Sequence, residues 1–294
     1  MNIFFQPLKI QEIDQLNPRF FYHINYLYLI LLTFTNVSYA QENIKIQSNS
    51  QKITPDSSDS FNNPSSLKNL NRSQFKNDFY QLINFYQPQI NPLYCAIASS
   101  VMIINALNYG EINNQIANQI TKPNGDIVEY KILTQQNFLN KATDKIKNRD
   151  IINFKKPSSI IKEGNKRHEI FDPGLTLSQL SVILEEVYHL DVTKIHLTES
   201  DQINEFRKRL MNVLQDQNNF ILANFDGKIL NKTSNGHISP IVAYNQFNDE
   251  VLILDSALHK NKWFWTSLET IVKAMNTKDG DNYRGYLIIS KKNN

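Results

Sequence analysis

The sequence predicts an α+β fold on three observations. Cys95–Leu107 reads as a buried helix, amphipathic helices continue to about residue 214, and the carboxyl third consists of short apolar runs between polar turns. Helices first and strands after them suggest an antiparallel sheet rather than alternating βαβ units. With 294 residues, 41% of them hydrophobic, the chain is long enough for a substantial core.

The elements follow in chain order. Phe75, Phe79, Leu82 and Ile83 are spaced for one face of a short helix. Pro88 and Pro92 bracket a turn, after which Cys95–Leu107 carries small and apolar side chains on every side, as a central helix does. Residues 110–172 are rich in Asn and Lys and weakly periodic, and read as a long, partly mobile excursion. Leu175–Val187 has helical spacing behind Pro173-Gly174, and Val192–Leu197 is a short strand. Ile203–Leu214 is an amphipathic helix whose Arg207, Lys208 and Arg209 read as a solvated face. Phe220–Phe225, Ile238–Tyr244, Glu250–Leu254 and Tyr286–Ser290 are the expected strands.

The amino end reads as a targeting segment. The apolar run Tyr26–Leu32 is too short to span a bilayer and suits the hydrophobic stretch of a secretory signal. Val37-Ser-Tyr-Ala40 follows, with small residues where a cut after Ala40 needs them. Lys9, Arg19, Glu12 and Asp14 sum to zero, which departs from a basic leader; a retained hydrophobic anchor is the alternative. The expected organisation is a signal peptide over residues 1–40, a polar flexible linker over 41–72, and a catalytic domain over 73–294, in a secreted or periplasmic protein.

Composition narrows the function. One cysteine excludes a disulfide scaffold and a cysteine-based zinc ribbon, and a net charge of +3 is too weak to point to nucleic acid. His23, His168, His189, His196 and His259 show no metal-ligand spacing, and no metal site is expected. The single thiol opens a helix, where unpaired N–H groups favour a thiolate. His237 stands at the entrance to a strand, and Asp255 lies 18 residues later, just past the next one. If these strands form a hairpin, His237 and Asp255 become neighbours. Thiolate, imidazole and orienting carboxylate together perform acyl transfer, and the order Cys, His, carboxylate is that of papain-like enzymes. By themselves the residues leave a bland reading open. A buried cysteine is commonly a small hydrophobe, His237 a satisfied strand-end histidine, and Asp255 an ordinary turn residue.

Longer motifs go further. Phe85-Tyr-Gln-Pro-Gln-Ile-Asn-Pro-Leu-Tyr-Cys95 and the run from Ala98 to Leu107 resemble the catalytic-cysteine segment of phytochelatin synthases. Leu133–Phe138, Gly174–Leu177, Asn219–Phe225, Gly236–Tyr244, Val251–Ala257, Lys273–Asp279 and Arg284-Gly285 match in the same order, covering roughly residues 75–290. The resemblance implies a papain-like fold and an enzyme acting on glutathione. Cys95 would be nucleophile, His237 general base and acid, Asp255 the orienting carboxylate, and Gln89 an oxyanion donor with the Cys95 N–H. Asn224, Gly236, Asp279 and Arg284 would hold the γ-Glu-Cys unit. The implied activity is cleavage of the Cys–Gly bond through a γ-Glu-Cys acyl-enzyme. No cofactor is needed for acylation, and cadmium or zinc enters as glutathione thiolate complexes in a detoxifying role.

The sequence departs from the family in four places. Ala96 replaces the glycine usual after the nucleophile, and Leu258 replaces an arginine usual three residues past the aspartate, with Lys260 or Lys262 nearby. The Cys95–His237 interval is long, consistent with an insertion around 140–172, and no cysteine-rich region follows Ser290. This resembles the short bacterial members and implies hydrolysis ahead of phytochelatin synthesis, in a homodimer. Two alternatives stand beside it: a cysteine peptidase or amidase acting on other γ-glutamyl or cell-wall peptides, and a non-catalytic thiol- or metal-binding module.

Overall fold

The computed structural model describes residues 61, 63–108, 117–164, 166–198, 203–232 and 235–292, all within the unit Pro55–Asn294. The leader over residues 1–40 and the linker to residue 60 lie outside the described residues. The linker's remaining part is corrected: Pro64–Arg72 is a helix, α1. Asn63 caps it by accepting from the Ser66 N–H at 2.7 Å, Pro64 occupies its first turn, and Leu70 is buried. Its polar composition hid it because only one narrow stripe faces the protein.

Helix α2 spans Asn77–Ile83 and α3 Cys95–Leu107. Phe75 precedes α2 and instead bridges Tyr244, while Ile83 ends the helix on its outer side, 37% exposed. Residues 110–172, read as a partly mobile excursion, contain two hairpins and short helices among their described residues. A hairpin joins β1 (Ala117–Thr121) to β2 (Ile127–Lys131), two single-turn helices follow, α4 (Gln135–Phe138) and α5 (Arg149–Ile152), and a second hairpin joins β3 (Ser159–Glu163) to β4 (Lys166–Ile170). Every residue of β3 and β4 is exposed, so no alternation marked those strands.

Helix α6 spans Leu177–Val182 and widens into a π turn over Ile183–Val187. It begins two residues later than its spacing predicts because Thr176 and Gln179 form a reciprocal capping box. After β5 (Leu190–His196) and α7 (Ile203–Gln215) come β6 (Asn219–Asp226), β7 (Gly236–Asn245) and β8 (Glu250–Ile253). The carboxyl third also holds a strand and a helix that its apolar runs did not separate, β9 (Phe264–Ser267) and α8 (Leu268–Met275), the latter capped by Ser267. Two-residue strands β10 (Lys278–Asp279) and β11 (Asn282–Tyr283) lead into β12 (Gly285–Lys291).

Six strands form one antiparallel sheet in the order β5-β12-β6-β7-β8-β9. Both of its faces are covered. Phe220 and Leu222 of β6 join the core built with α3 and α6, while Ile221, Ala223 and Phe225 join the core built with α7 and α8. This two-sided burial explains why β6 reads as an unbroken apolar run. Ser99 Oγ donates to the Ile238 carbonyl at 3.1 Å and moors α3 to β7. The expected hairpin is present: Asn245 pairs with Glu250 and Ile241 with Ile253. Its turn is pinned from outside, because Arg207 donates to both carboxylate oxygens of Asp249 at 3.1 and 2.8 Å. Of the presumed solvated cluster, Arg207 is therefore a structural ion pair, and Arg209 bonds Glu205 one turn away.

Asp78 on α2 is a separate cost in the core. It is fully buried, and neither carboxylate oxygen has a hydrogen-bond partner among the described residues. Burial first, then the charge of Asp216, raises its pKa well above the carboxylate range, only partly offset by its own backbone. The native state thus holds this proton more tightly than the unfolded chain. Its contribution to stability is complete below about pH 3.9 and is lost as pH rises through the folded value. Asp78→Asn, neutral at every pH, is expected to melt close to wild type near pH 4 and to be the more stable by about 1–2 kcal/mol at pH 8. Thermal melts across that range check this; a constant difference between the two proteins would contradict it.

Candidate active site

Cys95 is the first residue of α3, whose cap residue Tyr94 makes no side-chain capping bond, so the opening N–H groups remain for a negative charge. The thiol is half-buried and free. Burial pushes its pKa up, but the charge and hydrogen bond of His237, with the backbone at Ile238 and Ala96, pull it below the ordinary thiol value.

His237 opens β7, 4% exposed, with the Phe225 ring edge-on to it at 5.5 Å. Its Nε2 lies 2.7 Å from Asp255 Oδ1, so the hairpin does bring the two together, and Nδ1 is the ring nitrogen left for Cys95. Burial works against an imidazolium here, yet the charges of Asp255 and Cys95 raise its pKa to about 10.

Asp255 is fully buried and fully occupied. Oδ1 also accepts from the Ala257 N–H at 2.7 Å, and Oδ2 accepts from Asn261 Nδ2 at 3.1 Å. Burial opposes its ionisation, but His237 and these donors hold it below its usual range. The sequence offered no sign of Asn261, since a buried asparagine in a turn looks like any loop residue.

Cys95 and His237 open onto a cleft of about 430 Å³. At one end Asn224, 1% exposed, accepts from Arg284 Nη1 at 2.9 Å and donates to Asp279 Oδ2 at 3.1 Å. Arg284 Nη1 lies 3.3 Å from Asp279 Oδ2, closing the triangle, and the buried Arg284 Nε has no partner among the described residues. Gly236 leaves room for this guanidinium, because a Cβ would stand 3.0 Å from Arg284 Nη1 and 3.2 Å from Nη2 and push it aside by a few tenths of an ångström. Gly285 is required: a Cβ there would meet the Ile195 carbonyl at 1.9 Å, so only glycine lets β12 approach β5 and carry Arg284 into place.

Pro173, Gly174 and Leu175, which sequence reasoning did not assign to the cleft, also line it. A buried ion pair pins this stretch. Lys147 Nζ lies 2.6 Å from Asp172 Oδ2 and donates to the Gly174 carbonyl at 2.6 Å.

Two expected positions differ in detail. Gln89 lines the cleft, but its Nε2 donates to the carbonyls of Asn91 (3.0 Å) and Pro92 (3.1 Å) rather than towards Cys95. The short turn between the two prolines supplies acceptors nearer than the cleft. Leu258 is 48% exposed and does not line the cleft, whereas Lys260 does. Among the described residues, no cluster of three or more His, Cys, Asp or Glu is disposed to hold a metal ion.

A low-pKa thiol beside a raised-pKa imidazole that a buried carboxylate orients is suited to nucleophilic acyl transfer. The chain belongs to the phytochelatin synthase family, whose model matches residues 49–286. Relatives include glutathione gamma-glutamylcysteinyltransferase 1 of Arabidopsis thaliana, 23% identical over 72% of this chain and 37% of the relative. The enzyme of that name from Lotus japonicus is 26% identical over 72% of this chain and 36% of its own length. The glutathione gamma-glutamylcysteinyltransferase of Schizosaccharomyces pombe is 27% identical over 41% of this chain and 29% of its own. The chain thus spans little more than a third of the plant relatives it matches.

Proposed function

We propose that this protein is a papain-like acyl-transfer enzyme that cleaves the Cys–Gly amide of glutathione and passes most of the γ-Glu-Cys product to water. The observation that carries the reading is one cleft lined by Cys95 and His237, with Asp255 hydrogen-bonded to the far side of the imidazole, and by the Asn224–Asp279–Arg284 triangle. The γ-glutamyl head carries an α-ammonium and an α-carboxylate, which suit Asp279 and Arg284 respectively.

Cys95 Sγ attacks the cysteinyl carbonyl, and the oxyanion is met by the Cys95 N–H and by Gln89 once its amide exchanges a backbone carbonyl for the developing charge. His237 delivers its Nδ1 proton to the glycine nitrogen, the C–N bond breaks and glycine leaves a thioester on Cys95. Water, deprotonated by the now neutral His237, attacks the thioester and releases γ-Glu-Cys, restoring the thiolate–imidazolium pair.

A cleft of about 430 Å³ is near the small end of ligand sites, which supports one glutathione at a time and favours water as acceptor. Cadmium or zinc enters this scheme as a thiolate complex of the substrate. The test is incubation with glutathione, with and without cadmium or zinc, followed by chromatography and intact-protein mass. Glycine and γ-Glu-Cys as main products, with a transient acyl-enzyme, are expected. Mostly (γ-Glu-Cys)₂-Gly would overturn the preference for water, and no turnover of glutathione would overturn the reading itself.

A further inference from the structure

Lys260 is an exposed residue that lines the cleft, and among the described residues no ion pair or side-chain hydrogen bond engages its ammonium. Its backbone is fixed. The N–H groups of Lys260 and Asn261 both donate to the Ala257 carbonyl, at 2.7 and 2.9 Å, in the same turn that clamps Asp255.

Sheet order gives this cation a definite side. Asn224 of β6 pairs with Gly285 at the start of β12, so the Asn224–Asp279–Arg284 triangle stands on one side of β7. Strand β8, which delivers Asp255 to Asn261, is on the other side. His237 lies between them, at the same end of the sheet. With strands about 4.8 Å apart, a ligand crossing that end passes from the triangle, over Cys95 and His237, towards Lys260.

We propose that Lys260 binds the free carboxylate of the departing residue, so that the enzyme selects substrates ending in an unblocked carboxylate directly after the scissile amide. The inference rests on the cleft being the glutathione-cleaving site proposed above. The head held by Asp279 and Arg284 fixes the acyl side, which leaves the glycine carboxylate on the β8 side, where Lys260 is the cleft-lining cation. An exposed pair of this kind gives modest discrimination that salt screens.

The experiment compares kcat/KM for glutathione and for its C-terminal glycinamide, in wild type, Lys260→Met and Lys260→Arg, at low and high salt. Wild type is expected to prefer the free acid about fivefold. Lys260→Met brings the ratio to about one, Lys260→Arg retains it, and high salt shrinks it in wild type. A wild-type ratio near one, or an unchanged ratio in Lys260→Met, overturns the carboxylate site while leaving the proposed reaction intact. Failure of wild type to release glycine or glycinamide from either compound overturns the reaction, and this site with it.

Discussion

Cys95→Ser is expected to abolish glycine release from glutathione, with a loss of about 10⁴-fold or more. A serine hydroxyl keeps the size and position of the thiol but has a pKa that His237 cannot match, so the resting nucleophile disappears. The thiolate is poised because the positive imidazole and the backbone at Ile238 and Ala96 outweigh burial. None of those influences acts strongly on a neutral hydroxyl. The substitution lies at the first position of α3, where serine is well tolerated, so the melting temperature should stay within a degree or two of wild type. Intact mass after brief exposure to glutathione should show no adduct. Turnover comparable to wild type would remove Cys95 as nucleophile and the acyl-enzyme with it.

His237→Ala is expected to lower glycine release by about 10²–10⁴-fold, because the imidazole lowers the thiol pKa and, in the proposed reaction, protonates the leaving amine. The two roles separate by pH. In wild type the thiolate persists below the ordinary thiol range, and the ion pair survives until His237 loses its proton at about 10. Without His237, burial dominates and drives the thiol pKa up, so alkylation of Cys95 by iodoacetamide at pH 7 should become slow and recover only in alkaline solution. A neutral-pH alkylation rate equal to wild type would show that the pair does not set the reactivity of the thiol. Asp255→Asn should retain more activity than His237→Ala, since a thiolate–imidazolium pair can form without the carboxylate. Its rate should still fall, because the Ala257 N–H, Asn261 amide and His237 ring all donate to that carboxylate in the native site. An unchanged rate in Asp255→Asn would leave the 2.7 Å contact without a catalytic role.

Much of the site was legible because its signals are local. Small and apolar side chains around α3 marked a buried helix with Cys95 at its start, and two apolar runs joined by a polar turn marked the hairpin that aligns His237 with Asp255. The motif matches added Gln89, Asn224, Gly236, Asp279 and Arg284, and all five line or adjoin the cleft. The hairpins of residues 117–170 and helix α1 went unread for the opposite reason. Strands β3 and β4 are exposed on both faces and helix α1 buries a single narrow stripe, so no period of two or 3.6 rises above a polar background there.

The sequence by itself determined the class of fold, the helix that presents the thiol, the strand-end histidine and the carboxylate one hairpin away. Each depends on side chains within one element or one hairpin. Only the tertiary structure decided what surrounds them. It placed Asn224 against Arg284 across 60 positions, sent Leu258 outward and Lys260 to the cleft, and set Asn261 behind Asp255. It also tied the wall at Gly174 to Lys147. These contacts depend on strand order and on close packing between elements distant in the chain, which no local periodicity encodes.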